Sequence, residues 1–361
     1  MLQVWGHGDK LDVEANINCI PVIYRRYAEG SHVLQGKFAY FISSWFGRSQ
    51  TNSDYLNWLD SVTIPRIILE NVTYGKAIIV ADDTTESLSS KDLGPTLERF
   101  TKRNTLDGKV VLDSSNFVFS TNNINFPKQT YCDVYSAPFV LEYCKYAIID
   151  KDPDFYNAVM QQRGKWEYPF ISIAGEPRQH RRILHNMIRE HWSDSGICCI
   201  NKGFRSDNYS DIEYVPEQSP YEKEQQDQPF NWHMINPQHY IHIPCAAVME
   251  THINYERAGI TEKPFKNLVY PQPFVLLAAK GLIKHMRQLG FNFYDKIVDH
   301  SYDEIADDLV RTRAVFESFK KLVDSPTDLV YEREVVEHNR NVCRNLTIAQ
   351  DFINYLRKKL T

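Results

Sequence analysis

The chain has 361 residues, 43% of them apolar, and a formal net charge of −5. That length suits two domains, each able to bury its own core, and the acidic balance excludes a protein that coats nucleic acid through overall charge while leaving room for a local basic groove. The longest apolar runs, such as 274–279, fall far short of the ~20 residues of a membrane span, and the start Met1-Leu2-Gln3-Val4-Trp5-Gly6-His7 carries no basic region followed by an apolar one, so the expectation is a cytoplasmic protein with no secretory signal and no membrane partner.

In chain order, Phe38-Ala39-Tyr40-Phe41-Ile42 predicts a strand, 55–62 a helix, Ala77-Ile78-Ile79-Val80-Ala81 a buried strand after Gly75, 93–103 a second helix and Lys109-Val110-Val111-Leu112-Asp113 another strand. This alternation predicts a doubly wound α/β domain. The chain turns helical and polar over 150–166, and Tyr168-Pro169-Phe170-Ile171-Ser172-Ile173 opens a second α/β succession, which places the boundary near Lys165. The stretch 203–228, rich in Glu, Gln, Ser, Asp and Tyr, reads as a solvated loop or an acceptor lid. The tail 332–359 predicts one long amphipathic helix with Val335, Val336, Val342, Leu346, Ile353 and Leu356 as its apolar positions, long enough to pack across both domains. The expected division is therefore 1–165, 166–330 and a C-terminal helix over 331–361. Seven cysteines, with Cys198 and Cys199 adjacent, form neither a disulfide framework nor a paired metal pattern.

The chemistry concentrates after 246. Cys245-Ala246-Ala247-Val248-Met249-Glu250-Thr251 reads as a short buried strand, Gly259 breaks the chain, and Thr261 caps a helix whose first turn holds Glu262, Lys263 and Pro264. A lysine at a helix N-terminus adds a full charge to backbone N–H groups that already favour an anion, so a diphosphate is the natural occupant. Glu262 or Glu250 would accept from ribose hydroxyls. The run Gln272-Pro273-Phe274-Val275-Leu276-Leu277 is the next buried strand, putting the site at the carboxyl edge of a parallel sheet. The plainer alternative for Glu262 and Lys263 is an exposed ion pair.

A second helix follows Ile173, with Arg178 in its first turn. Arg178, Arg182, His185 and Arg189 recur at helical spacing on one face, opposite Ile183, Leu184, Met187 and Ile188. Its basic face suits phosphate oxygens, or is simply solvated. The acceptor hydroxyl needs a base, and the strand ending in Asp82-Asp83-Thr84-Thr85-Glu86 offers carboxylates at a strand carboxyl end; Glu86 and Asp82 are the candidates, with His7 a weaker one. His233, His239, His242 and Cys245 cluster loosely, but no ligand spacing supports zinc. There is no Asp-x-Asp element after a suitable strand, and no P-loop or dinucleotide glycine motif, so no metal is expected.

The order strand, Glu250-Thr251, irregular spacer, Thr261-Glu262-Lys263, helix, strand resembles the donor-binding motif of the α1,3-fucosyltransferases, in which an aromatic-Glu-Asn-Ser element precedes a Thr/Ser-Glu-Lys element. More closely, the chain is similar to a group of phage-encoded glycosyltransferase-like proteins through Thr261-Glu262-Lys263-Pro264-Phe265-Lys266, Leu289-Gly290-Phe291, Asp299-His300-Ser301-Tyr302-Asp303 and Arg178-Gln179-His180-Arg181. The likeness spans 171–316. Thr251 and His252 replace the Asn-Ser, and Pro264 an apolar residue, so sugar specificity does not carry over.

The resemblance implies two Rossmann-like domains facing a cleft, the GT-B arrangement, with a nucleotide-sugar donor in the C-terminal domain and the acceptor in the N-terminal one. It implies Arg178, Arg181 and Lys263 on the diphosphate, in the role a divalent metal plays in other transferases. UDP-sugars are expected first on frequency; GDP-sugars stay open because the fucosyltransferase-like motif uses them. Likeness to phage proteins implies a hydroxymethylated base in duplex DNA as acceptor. Arg340, Arg344, Lys358 and Lys359 would then be phosphate contacts, with Trp45, Phe46 or Tyr55 as the wall for a flipped base. A saccharide or lipopolysaccharide acceptor, or a nucleotide-binding module without catalysis, are the alternatives.

Overall fold

The computed structural model describes residues 3–7, 23–26, 36–43, 52–83, 90–145, 149, 153–174, 178–193, 195–200 and 237–361. The chain divides into two compact units, the first formed by Met1–Tyr143, Glu256–Gly259 and Thr347–Thr361, the second by Cys144–Tyr255 and Ile260–Leu346. It enters the second unit at Cys144, where the sequence places the change near Lys165. Both units are α/β with parallel sheets. Among the described residues no helix is long and apolar enough to cross a membrane.

The first unit carries β1 (Gln3–His7), β2 (Ile23–Arg26), β3 (Phe38–Ser43) and β4 (Ala77–Asp83), a small antiparallel hairpin of β5 (Thr105–Leu106) and β6 (Lys109–Val110), then β7 (Phe117–Thr121) and β8 (Asp133–Ser136). All but the hairpin form one parallel sheet in the order β2-β1-β3-β4-β7-β8. Its central strands are continuous apolar runs because both faces are covered. Phe38, Tyr40, Ile42, Ile79, Phe117 and Phe119 turn to one side, against Leu59, Ile68, Leu97 and Phe100 of the helices Asn52–Ser61, Arg66–Thr73 and Ser90–Arg103. The alternate residues Ala39, Phe41, Ile78, Val80 and Val118 meet Phe352, Ile353, Leu356 and Leu360.

Two sequence expectations need correction. The strand expected over 109–113 is only the second arm of the β5–β6 hairpin, which turns at Asp107 (φ 49°) and Gly108 (φ 74°); Asp-Gly is a strong hairpin turn because both central residues take positive φ. The sheet position beside β4 belongs instead to Phe117–Thr121. The tail is helical, but as two helices, Leu329–Arg344 and Ile348–Leu360. The break falls at Asn345-Leu346-Thr347, where Asn and Thr favour helix ends over interiors. The first of these helices belongs to the second unit and the other to the first. Glu142 Oε2 accepts from Ala349 N (2.6 Å), and Asp133 accepts from Tyr355 Oη (2.5 Å) and Lys359 Nζ (2.8 Å), which fixes the last helix on the first sheet.

The second unit holds β9 (Ile171–Ala174), β10 (Ile197–Ile200), β11 (Ala246–Met249) and β12 (Phe274–Leu277), all parallel, in the order β10-β9-β11-β12. Phe170, just before β9, packs tilted on Trp192 and edge to face on Phe319, and Trp192 meets Phe316 and Phe319 edge to face. A Cβ at Gly196 would stand 2.4 Å from the Phe170 ring, so only glycine admits that packing. Several residues of the quoted sequence elements turn out to be structural. Gly290 (φ 96°) ends the helix Leu282–Gln288. Tyr302 Oη accepts from Leu276 N at 2.9 Å, and the Asp303 carboxylate accepts from Ile283 N and Lys284 N at 3.1 and 3.0 Å, filling the start of that same helix.

A buried ion pair fastens the amino-terminal side of this unit. Arg163 Nε lies 2.6 Å from Glu332 Oε2, each side chain 1% exposed, and the guanidinium also donates to the carbonyls of Tyr240, Ile243 and Pro244. Removing one member of such a pair strands a buried charge, so Arg163→Met should cost about 3–5 kcal/mol in urea unfolding. Adding Glu332→Leu should restore only part of that, because the three carbonyls still lack their donor. Full restoration would show that the charge pair alone matters.

Candidate functional site

The strand order of the second sheet reverses between β9 and β11, which are neighbours. In an open parallel sheet the segments leaving two such strands diverge and open a crevice at their carboxyl ends. From β9 the chain reaches Arg178, the extended N-cap of the helix Gln179–Trp192, which no side chain caps. From β11 it reaches Glu250, Thr251 and His252. The helix Glu262–Val269 then starts beside them, and Thr261 caps it as the sequence predicts, its hydroxyl accepting from Lys263 N at 3.3 Å.

Glu250 is the hub. It is 1% exposed, and its carboxylate accepts from Thr261 N (2.9 Å), Thr261 Oγ1 (2.6 Å) and Thr251 N (3.2 Å). Its backbone carbonyl meets Arg181 Nε at 3.2 Å and His180 Nε2 at 3.1 Å. Burial raises the carboxyl above its ordinary value, opposed by Lys263 and the Thr261 bonds. Glu250 thus holds the strand end to both helix starts rather than presenting oxygens to a ribose.

Glu262 remains as the carboxylate nearer the surface. Lys263 Nζ lies 3.1 Å from Glu262 Oε1, 3.2 Å from Thr261 Oγ1 and 3.3 Å from Thr251 Oγ1, with 27% of its side chain exposed. Burial would push the Glu262 carboxyl up, but Lys263 and Lys266 outweigh it and hold it below the ordinary range. Lys266 is itself lowered by burial, with Glu262 and Cys144 opposing. On the other side Arg178 Nη1 stands 3.2 Å from His252 Nδ1. Lys263 and Arg178 therefore reach the adjacent residues Thr251 and His252.

Arg181 is buried and serves backbone carbonyls, so it shapes the site from beneath. His185 does not share a solvated basic face: it is buried, with its Nδ1 3.1 Å from Cys198 Sγ. Arg311, which the sequence reading missed, is also buried and donates to Ala278 O (2.9 Å), Ile305 O (2.6 Å) and Ile253 O (2.6 Å), pinning the segment just past His252. Its only sequence signal, Asp308 three residues earlier, looks like an ordinary surface pair.

In the first unit the backbone of Asp82 is paired with Ser43 and Ser120 at the carboxyl end of the sheet. The Asp82 side chain, Glu86, Trp45, Phe46, His233, the 203–228 excursion and the side chains of His7 and Tyr55 lie outside the described residues. Of the expected phosphate contacts, Arg340 is buried, donates to Val269 O and sits 4.2 Å over the Tyr156 ring, which removes it from any surface. Arg344 bonds Asn341 Oδ1 at 3.0 Å, Lys359 pairs with Asp133, and Lys358 is exposed. His242 pairs with Glu167 at 3.1 Å and Cys245 is buried. Among the described residues no group of three or more His, Cys, Asp or Glu side chains is placed to hold a metal. No family model matches the chain, and neither a curated protein nor a solved structure matches it.

His180 gives the site a pH signature. Burial drops its imidazole to about 4, with the Glu250 carbonyl opposing and Arg181 and Arg178 adding to the fall. A folded value below the unfolded ~6.5 means stability that is present above pH 6.5 and is lost as pH falls toward 4, at most about 3 kcal/mol. His239 (about 4) and His300 (about 3), both lowered chiefly by burial, act in the same direction. Urea unfolding at pH 7.5 and 4.5 should show this loss, and it should be smaller in His180→Gln. An equal loss in that variant would assign the acid sensitivity elsewhere.

Proposed function

We propose that the protein is a metal-independent glycosyltransferase of GT-B type that uses a nucleotide-diphosphate sugar. The observation that carries this reading is the pair of cations, Arg178 and Lys263, each at a helix start and both reaching the Thr251-His252 dipeptide where the strand order reverses. Helix N-termini with an added guanidinium and ammonium favour a diphosphate. As the glycosidic bond breaks, charge grows on the departing phosphate, and preorganised cations there lower the barrier without a metal. Glu262, kept ionised by two lysines, accepts from the ribose hydroxyls. Two units, each with a parallel sheet, agree with one Rossmann-like domain for donor and one for acceptor. Asp82 or Glu86 supplies the base. UDP and GDP donors both fit this chemistry.

For the acceptor we propose a hydroxymethylated base in duplex DNA, on the sequence resemblance alone. The burial of Arg340 takes away one phosphate contact, and a saccharide acceptor stands as the second reading for that reason.

A panel of UDP-, GDP-, CDP- and ADP-sugars should contain one that stabilises the protein by about 2.7 kcal/mol at ~100 times its Kd. EDTA should leave the shift intact and Lys263→Ala should remove most of it. No shift with any member would end the transferase reading; an undiminished shift in Lys263→Ala would move the phosphate site elsewhere.

With the donor found, labelled sugar should pass to hydroxymethylcytosine DNA and not to unmodified DNA, and transfer to an oligosaccharide instead would decide for the second reading. With either acceptor, Glu86→Gln or Asp82→Asn should lower turnover ~10²–10⁴-fold at unchanged donor affinity. Wild-type turnover in both would take this loop out of the mechanism.

A further inference from the structure

Residues 254–260 join the two halves of the donor site, and the sequence shows there only an irregular spacer. Both ends of this stretch are fixed in the second unit: Arg311 Nη2 donates to Ile253 O at 2.6 Å, and Thr261 N donates to Glu250 Oε1 at 2.9 Å. Its middle is fixed elsewhere. The short helical turn Tyr255–Arg257 leads into Glu256–Gly259, which groups with the first unit. The residues that hold it there follow β7. Asn123 Nδ2 donates to Glu256 O at 2.6 Å, Ile124 N donates to Ala258 O at 2.8 Å, and Asn123 forms an antiparallel bridge with Gly259. Asn123, Ala258 and Ile260 are fully buried, so these bonds are made out of water, where a carbonyl left without a donor is costly. Lys91 also pairs with Glu256, but both side chains are exposed and such a pair holds little.

The Asn123 amide divides its work between its two ends. Oδ1 accepts from Asn125 N at 3.0 Å, closing a local turn, while the backbone N donates to Thr121 Oγ1 at 3.1 Å and the carbonyl accepts from Ser136 Oγ at 2.7 Å. Those bonds shape the loop after β7. The Nδ2 bond reaches out of that loop to the strap Glu256–Gly259.

We propose that Asn123 is a positioning residue for the diphosphate site: by holding Glu256–Gly259 it keeps ordered the stretch of chain that joins Thr251-His252 to Thr261-Lys263. This rests on the donor-site reading and makes diphosphate affinity depend on a residue of the first unit. Thr251 and Thr261 both bond Glu250, and their hydroxyls lie 3.3 and 3.2 Å from Lys263 Nζ. Were 254–260 loose, each unordered residue would add its conformational entropy to the cost of assembling these contacts when a ligand arrives. A strap ordered beforehand removes that cost. The dependence is reciprocal: whatever the strap's bonds add to ligand affinity, the bound ligand returns to those bonds. Asn123 also lies just beyond Ser120 and Thr121, which pair with Asp82 and Asp83 on β4, so the loop that orders the donor strap leaves the strand beside the proposed base.

The test is calorimetric titration of the full chain with UDP, GDP and inorganic pyrophosphate, repeated in Asn123→Asp and Ser136→Ala, with urea unfolding to establish that each variant is folded under the assay conditions. Asn123→Asp keeps the acceptor for Asn125 N and loses the donor to Glu256 O. It should bind whichever probe binds about tenfold more weakly, the scale of one buried hydrogen bond left unmade. Ser136→Ala removes a bond to the same loop but none to the strap, and should keep wild-type affinity. In the wild type, the bound probe should slow hydrogen exchange at the Ile124 amide, which donates to the strap. Wild-type affinity in Asn123→Asp overturns the inference, as does an equal loss in Ser136→Ala. Should Asn123→Asp fail to fold, unchanged exchange at Ile124 on binding decides against the inference with the wild type alone. Failure of all three probes to bind the wild type overturns the diphosphate site itself, whereas binding that ignores Asn123 leaves that site standing and sinks only the strap.

Discussion

Placing a carboxylate out of water costs several kcal/mol unless hydrogen bonds and a nearby cation compensate, and at Glu250 that compensation is the framework of the site. Its oxygens accept from Thr261 and Thr251, so the end of β11 is bolted to the start of the Glu262 helix, eleven residues on. Its carbonyl accepts from His180 and Arg181, so the same residue also fixes the start of the Gln179 helix. Lys263, whose positive charge opposes the effect of burial on the carboxylate, is placed by the helix that the carboxylate holds. Charge compensation and geometry are thus one arrangement: loosening Glu250 would release the two helix starts whose cations define the site.

Each sheet needs cover on both faces, and the tail supplies some to each unit by dividing. A single helix over 332–359 would have to present one apolar stripe to one surface. The break at Asn345-Leu346-Thr347 lets Leu329–Arg344 contribute Asn339 to the carbonyl of Leu268 at the end of the Glu262 helix, while Ile348–Leu360 covers the second face of the first sheet. The two halves also differ in what they bury. The first buries polar groups, Glu332, Asn339 and Arg340; the second buries only apolar residues.

Much of the fold was legible because a parallel sheet covered on both faces needs unbroken apolar strands, and 38–42, 77–81, 246–249 and 274–277 are such runs. The run at 109–112 misled for the same reason: apolar content carries no information about pairing, whereas the Asp107-Gly108 turn before it does. At the site, the cap at Thr261 and the position of Lys263 followed from local chemistry and are present as read. Two assignments could not be made from periodicity. Arg178 and Arg181 look equivalent in sequence, yet an N-cap residue is extended and directs its side chain independently of the helix faces, while Arg181 falls on the buried one. Glu250 and Glu262 also look interchangeable; only the eleven-residue return of Thr261 onto Glu250 decides that the former is internal.

The arginines of the second unit carry the same lesson further. Sequence reasoning treats arginine as a surface residue, but Arg163, Arg181, Arg311 and Arg340 are all buried, and each donates to backbone carbonyls at the end of a strand or helix or in the loop beyond it. Those carbonyls have no partner within their own element and must find donors in a dry interior, which a five-donor guanidinium supplies several at a time. Counting basic residues therefore overstates the charge available to a ligand. Arg178 and Lys263 differ from this set in kind: they are half-buried, they contact side chains rather than carbonyls in the bonds described, and they stand at the two helix starts beside the strand-order reversal. A cation engaged with exchangeable side-chain partners can turn to an incoming anion without unfolding a loop end, which the four buried arginines cannot do.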